Sequence, residues 1–332
     1  VSARTVHRVA IVGCGVVSDM HFRGCLAHPD RVEIVAAVDP SAERRAWVAE
    51  TFGVHATFPS IAEALDQVDF DAAVVSTPSH VRLEAVAELA AAGIHLFVEK
   101  PLADGVAQAR EVVAAAADAG VRLAVDQNFR YHYAFGQARD AIRDGRIGRV
   151  LSVDHCELMW REVTGWRADQ VHHTLSVMGV HWFDGFRYIL GVEADWLTAT
   201  THRSPALHAA GETDASIHLR FGDIGVNYTQ SFSSRVERVE TIVIGEEGTL
   251  RLDYGILEIH TADGVETIAN PWAGDGKPES AFLGLDELLS SVEDRRQPTN
   301  SGADNLRTLS LLDGAYRSAE SGEPVRFQDG VL

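Results

Sequence analysis

The stretch from residue 8 to residue 18 constrains this chain more than any other. A buried-strand run, Arg8–Val12 (RVAIV), leads directly into Gly13-Cys-Gly-Val-Val-Ser18, where a helical pattern opens. A strand that turns through two glycines into a helix is the fingerprint of a dinucleotide site. The first glycine permits the tight turn and the second lets the backbone approach a pyrophosphate. The helix N-terminus then offers unsatisfied N–H groups and a positive dipole end. An acidic residue, Asp39, ends the second strand run 21 residues after Ser18, where a carboxylate bonds ribose hydroxyls. Gly13, Gly15, Val16, Val17 and Asp39 are therefore the first candidate cofactor contacts. The bland alternative is a tight turn in an α/β domain that binds nothing. A carboxylate at position 39 repels a 2′-phosphate, so NAD is expected. Ser41, Arg44 and Arg45 keep NADP as the alternative.

The same alternation continues downstream. Strand runs at Val32–Val38, Ala72–Val75, His95–Val98 and Arg122–Val125 are separated by helical stretches at Ser41–Thr51, Val81–Ala92 and Val106–Ala119. Gly93 and Gly120 fall where helix-terminating glycines belong. Near-continuous apolar strands with intervening helices imply a parallel sheet covered on both faces. After Asp126 the pattern changes. A helix is expected at Ala134–Arg143, a strand at Val150–Met159 and a long helix at Leu175–Leu190. Strands at Trp196–His202, Ser216–Phe221, Gly225–Phe232, Glu237–Ile244, Thr249–Asp253 and Ile256–His260 follow without intervening helices, which indicates antiparallel pairing. Helices at Ala281–Glu293 and Ala303–Ser321 close the pattern, and Asn270–Pro278 reads as a surface loop. The fold class expected is α/β. It comprises a Rossmann domain at 1–126 and a C-terminal α+β domain at 127–332 with a large, mostly antiparallel open sheet, whose last helix packs back toward the first domain.

Charge narrows the partners. The formal net charge is −19, which disfavours phosphate backbones and anionic lipid, so neither nucleic acid nor membrane is expected. No run of 18 apolar residues is present, and Val1–Arg8 lacks the apolar core of a signal peptide. Three widely spaced cysteines, Cys14, Cys25 and Cys156, suggest a reducing compartment without a disulfide framework, with the cytoplasm as the expected location. An open sheet face suggests a homodimer or homotetramer formed through the C-terminal sheet. The 29 basic residues include only two lysines, Lys100 and Lys277. Lys can lose its proton in a protein and Arg cannot. Lys100 stands in Glu99-Lys100-Pro101, just past the strand His95–Val98, and ligands of open α/β sheets lie at such carboxyl ends.

In order, Gly13–Ser18, Ser76-Thr-Pro-Ser-His80, Glu99-Lys100-Pro101 and Gln127-Asn-Phe-Arg130 resemble the glucose-fructose oxidoreductase / inositol dehydrogenase (Gfo/Idh/MocA) family over essentially the whole chain. The resemblance implies a Rossmann domain, a C-terminal domain with a mostly antiparallel sheet, a tightly held nicotinamide cofactor and sugar or cyclitol substrates. It implies that Ser76, Thr77, Pro78 and His80 line the cofactor. Glu99, Lys100 and Pro101 would lie at the nicotinamide ribose and Gln127 and Asn128 near the nicotinamide, with Trp166 and Arg167 reaching toward the cofactor. Lys100 would face the reacting carbon.

One family position departs from the pattern. An Asp commonly stands four residues before a catalytic His, whereas here the stretch is Val177-Met-Gly-Val-His181. His181 fits the histidine, and Val177 can neither bond a hydroxyl nor move a proton. On a regular helix His173, Val177 and His181 would share one face. Three readings follow. The first is a working dehydrogenase using Lys100 and His181, with His173 as a further candidate. The second is altered chemistry on a retained cofactor, such as a reductase with another proton donor or an oxidation–elimination enzyme. The third is a catalytically silent nicotinamide-binding sensor. Arg130, Tyr131, Glu157, Trp160, His173 and His181 are the candidate substrate contacts. His155, His172, His173 and His181 lack compact ligand spacing, so no metal is expected.

Overall fold

The computed structural model describes residues 5–272, 274 and 276–332, with the backbone alone described at Trp166 and Arg167. The chain forms two compact units. The first comprises 1–131 and 277–306, and the second 132–276 and 307–332. The division is thus not a single cut near residue 126. The segment 277–306, assigned from sequence to the C-terminal half, packs with the first unit.

In the first unit, strands β1 (His7–Val12), β2 (Val32–Val38), β3 (Thr57–Phe58), β4 (Ala72–Val75), β5 (His95–Val98) and β6 (Leu123–Val125) form one parallel sheet in the order β3-β2-β1-β4-β5-β6. This is the doubly wound order, whose direction reverses between β1 and β4. The helices are α1 (Ser18–Ala27), α2 (Ala42–Phe52), α3 (Ile61–Gln67), α4 (Arg82–Ala91) and α5 (Val106–Asp118). Gly93 and Gly120 follow α4 and α5 with left-handed φ of 80° and 70°, as their spacing implied. The short β3 and α3 went unread in the sequence. The signal for α3 was nevertheless local: Ser60 Oγ accepts the Glu63 N–H at 3.3 Å in a Ser-x-x-Glu capping box.

Helix α8 (Lys277–Glu293) belongs to this unit because of its apolar face. Phe282, Leu285, Leu288 and Leu289 are buried in one cluster with Phe22 and Cys25 of α1 and with Val9, Ile11 and Phe97 of the sheet. The buried Arg31 guanidinium adds ion pairs at 2.5 Å to both Asp286 and Glu293. Lys277 opens this helix, so the loop expected at Asn270–Pro278 ends earlier than its composition suggested. Part of that expectation concerns Ala273 and Asp275, which lie outside the described residues.

The second unit is built on a nine-stranded sheet. Its strands are β7 (Val150–Trp160), β8 (Trp196–His202), β9 (Asp214–Phe221), β10 (Ile224–Ser231), β11 (Ser233–Gly245), β12 (Gly248–Leu252), β13 (Ile256–Thr261), β14 (Gly264–Ala269) and β15 (Val325–Arg326), in the order β14-β13-β12-β11-β7-β10-β9-β8-β15. Pairing is antiparallel except between β7 and β10, which run parallel. Strands β14 and β15, unread in the sequence, form its two edges; β14 is mostly exposed and shows no apolar alternation. Alternation gives β9 a buried face of Ala215, Ile217, Leu219 and Phe221 and an exposed face of Ser216, His218 and Arg220. Helices α6 (Tyr133–Arg143) and α7 (Val180–Leu190) pack together, and Phe183 of α7 lies with its ring centroid 5.4 Å from that of Tyr228 on β10. Helix α9 (Gly302–Ser321) contributes its first residues to the first unit and the remainder to the second. A π-helical turn, Leu175–Gly179, precedes α7. The regular helix expected over Leu175–Leu190 is therefore interrupted, and the 3.6-residue spacing that would align 173, 177 and 181 does not hold through it.

The α8 packing predicts that Leu289→Ala, at a fully buried position, destabilises the first unit by about 2–5 kcal/mol in chemical denaturation, whereas a loss below about 1 kcal/mol would mean that α8 is not part of this core.

Candidate active site

Four strands of the first unit end side by side, and each delivers one site segment. Strand β1 delivers Gly13, β4 delivers Ser76-Thr77, β5 delivers Glu99-Lys100 and β6 delivers Asp126-Gln127-Asn128. Gly13 sits at φ 91°, and a Cβ there would lie 2.9 Å from the Ser76 carbonyl carbon and the Thr77 nitrogen. Only glycine permits this approach. The Gly13 N–H donates to Val38 O at 2.7 Å, and Ser76 Oγ donates to Gly13 O at 2.6 Å. At Gly15 the backbone is exposed and a Cβ would meet nothing within 4 Å. Val16 is 85% exposed and Val17 is half-buried. Ser18 is buried, its hydroxyl donating to Gly15 O at 2.7 Å.

Asp39 stands at the end of β2 and accepts N–H groups from Cys14 and Ser41, each at 2.8 Å. Its carboxylate thereby braces the glycine turn from the adjacent strand. Arg44 Nε donates to Cys14 O at 2.5 Å and its guanidinium lies 4.1 Å from the Trp47 ring centroid. Arg45 donates to Asp39 O at 2.7 Å. Burial pushes the Cys14 thiol up to about 12, so Cys14 is a small packing residue rather than a nucleophile.

Among the described residues, several buried polar atoms at this edge have no protein partner: Thr77 Oγ1, both amide atoms of Gln127, and Asn128 Oδ1. A buried polar atom left without a hydrogen bond costs about 1–3 kcal/mol, so this set offers donors and acceptors that a polar ligand could use. Pro78 and His80 are exposed beside it, and Lys100 and Pro101 are half-buried. Arg82, missed from sequence, clamps the two loops: its guanidinium donates to Thr77 O and Pro101 O. Burial pushes Arg82 down to about 10.

Glu99 is only 5% exposed. Its Oε1 lies 2.8 Å from His21 Nε2, and its Oε2 accepts the Lys100 backbone N–H at 3.1 Å. The carboxylate is thus turned into the protein, toward His21 on α1 and Asp126 after β6. Neither partner belongs to a motif visible in the sequence. Among the described residues, these three form the group whose ligand-type atoms converge, all within 4.8 Å of one another. The histidines weighed for a metal do not appear in such a group.

Other sequence candidates are placed as follows. Arg130 is buried, donating to Thr299 O at 2.9 Å and pairing with Asp304 at 2.5 Å. Tyr131 lies against Gly284 of α8. In the second unit, Glu157 is fully buried and accepts from Trp182 Nε1 at 2.8 Å, Gln230 Nε2 at 3.0 Å and the Tyr254 hydroxyl at 2.6 Å. Trp160 lies under the Arg235 guanidinium at 3.4 Å. His173 and His181 are 3% and 7% exposed. Glu212 accepts the His173 and Leu175 backbone N–H groups at 2.9 and 3.0 Å and so anchors the entry to the π turn. His155 is a core histidine, pushed down to about 3 by burial and stacked on Tyr228. The backbone of Trp166 and Arg167 lies in a 3₁₀ turn, Gly165–Asp169; their side chains lie outside the described residues.

Residues 7–127 match the family described as "Oxidoreductase family, NAD-binding Rossmann fold", and residues 135–251 match the GFO/IDH/MocA C-terminal domain. The chain is 32% identical over 350 residues to a D-apiose dehydrogenase of Paraburkholderia graminis, covering 96% of this chain and 89% of that protein. It is 26% identical to an inositol 2-dehydrogenase of Rhizobium meliloti, with 94% and 96% covered. Among solved structures it is similar to the WlbA dehydrogenase of Bordetella pertussis in complex with NADH and UDP-GlcNAcA, at a TM-score of 0.81 and 25% identity, with 98% and 99% covered. The parallel sheet with its glycine turn, the mostly antiparallel second sheet and these matches together place the chain in the Gfo/Idh/MocA family of oxidoreductases.

Proposed function

We propose that this chain moves a hydride between NAD and a hydroxyl-bearing carbon of a sugar, sugar derivative or cyclitol. The observation that supports this most is the position of Lys100. It follows β5 on the same strand edge as the buried unpartnered atoms of Thr77, Gln127 and Asn128. The relatives named for sugar and inositol oxidation supply the substrate class.

Gly13, Gly15, Val16 and Val17 would hold the pyrophosphate with backbone N–H groups at the start of α1. Asp39 would take the ribose hydroxyls, and Arg44 and Arg45 are already engaged by backbone carbonyls, which favours NAD over NADP. Ser76, Thr77, Pro78, His80, Gln127 and Asn128 would line the remainder. When bound, NAD supplies the hydride acceptor. The chain's own work is proton management. Lys100 takes the proton from the reacting hydroxyl as its C–H bond is broken, or returns it in the reverse direction. His181 is proposed as a second proton-transfer group and His173 as a substrate contact, with Arg130, Tyr131, Glu157 and Trp160 as weaker candidates. The exposed face of the nine-stranded sheet is the proposed surface for a homodimer or homotetramer.

Three outcomes test this reading. NAD(H) at 100 times its Kd should stabilise the protein by about 2.7 kcal/mol, and Gly13→Ala should abolish that protection because the added methyl meets the Ser76 backbone; protection retained in Gly13→Ala would remove the turn from the site. Lys100→Arg should keep cofactor protection and lose turnover by about 10² or more, since arginine holds its proton; full turnover would sink the Lys100 assignment. A panel of sugars and cyclitols should yield at least one that changes the nicotinamide absorbance. No turnover despite bound cofactor would favour a silent module, and a gain of activity in Val177→Asp would favour chemistry diverted at that position.

A further inference from the structure

Glu99 and Asp126 bring two carboxyl groups together in a site that water barely reaches. They are 5% and 1% exposed, and His21, which faces both, is 3% exposed. His21 Nε2 lies 2.8 Å from Glu99 Oε1 and 3.6 Å from Asp126 Oδ2. The backbone holds the pair rigidly: Glu99 N–H donates to Val75 O at 2.9 Å and Asp126 N–H to Val98 O at 2.8 Å. Two carboxylates this close and this dry do not both ionise.

We propose that Asp126 is a positioning residue that keeps its own carboxylic-acid proton and turns it toward the Glu99 carboxylate, so that Asp126 and His21 together fix Glu99 as a single negative charge beside Lys100. Glu99 is the ionised partner because more donors converge on it. It receives His21 Nε2 and the Lys100 N–H, and Arg82 and Lys100 are its nearby positive charges. Asp126 meets burial and the Glu99 charge, and both hold its carboxyl well above the usual carboxylate range. Asp104 is a further negative charge acting on Arg82. Helix α8 also packs on β5 and β6, but its acidic groups Glu279, Asp286, Glu287 and Glu293 pair with His28, Arg31 and Arg296. The cluster therefore sets the charge felt by Lys100, and Asp126 sets it by staying neutral.

This inference rests on Lys100 as the proton-transfer group, so its test has one arm that does not. Infrared difference spectra of the full protein, with ¹³C-labelled aspartate, should show a buried carboxylic-acid carbonyl band at neutral pH that Asp126→Asn removes. Its absence from the wild-type protein would overturn the shared proton whatever Lys100 does. So would a stoichiometric divalent metal that a chelator strips from the wild type and that Asp126→Asn lacks. In the second arm, the acid limb of kcat/KM for substrate oxidation reads the proton affinity of Lys100. Removing the charge in Glu99→Gln should shift that limb to lower pH by about 1–3 units, whereas Asp126→Asn, which replaces one neutral donor by another, should shift it by less than about half a unit. Equal shifts would show Asp126 to be an anion and overturn the proposal. A band present with a limb unmoved by Glu99→Gln would overturn the coupling to Lys100 and leave the carboxyl pair standing.

Discussion

The contact between Gly13 and the Ser76–Thr77 backbone is the constraint on which the rest of the first unit depends. It lies where the doubly wound sheet reverses direction, and it ties three strands through one residue: β1 carries Gly13, β2 accepts its N–H through Val38, and β4 donates the Ser76 hydroxyl to its carbonyl. Any side chain at Gly13 would push the β4 loop away. Asp39 reinforces the turn from β2 by accepting the Cys14 N–H. The exposed backbone at Gly15 and the start of α1 follow from that geometry. Helix α1 in turn packs on α8, which brings a segment distant in sequence into the same core. The site and the core are thus one construction.

Charge was a weaker guide to partners than its size implied. The net of −19 is shared unequally: residues 1–125 hold 10 basic and 16 acidic groups, and residues 126–332 hold 19 and 32. An anionic dinucleotide is held by local N–H donors and a helix end, which a modest regional excess of acid does not veto. Four of the arginines have buried structural roles. Arg31, Arg82, Arg130 and Arg187 are all buried, and each spreads its fork over several carbonyl or carboxylate oxygens. Those are structural tasks that suit a planar cation which never loses its proton. Lys100 follows β5 at the strand edge, where the proposed reaction would use a cation that can lose its proton, whereas Lys277 is an exposed residue at the start of α8.

What was legible in the sequence was local or periodic. The strand–glycine–helix junction, the apolar parallel strands and the alternation in β9 follow from neighbours a few residues apart, and the structure has them where the pattern placed them. The π turn at Leu175–Gly179 was not legible, because its five residues carry no composition that separates it from α-helix. It dissolves the helical-face argument that joined His173, Val177 and His181. Nor was the assignment of α8 legible, since an amphipathic helix does not announce which core it will fill. The buried cluster was the least visible of all. His21, Glu99 and Asp126 come from three separate segments, and only the sheet order brings those segments together.

On the proposed reading, that cluster also bears on how Lys100 would serve as a base in so acidic a chain. A general base works best with a proton affinity near the working pH, and each uncompensated negative charge beside Lys100 would stabilise its protonated form and move it away from that range. Two ionised carboxyls would do this strongly. If Asp126 is protonated, as proposed, a single negative charge remains on Glu99, which faces His21, Lys100 and the Arg82 guanidinium. Arg82 cannot be diverted from this part, because its bonds to Thr77 O and Pro101 O fix it where the two loops meet. The same arginine that closes the loops is thus a second positive charge near Glu99. A substitution at Arg82 would disturb the geometry of the two loops and the charge beside Glu99 together, whereas the Asp126 side chain faces His21 and Glu99 and bonds neither loop carbonyl.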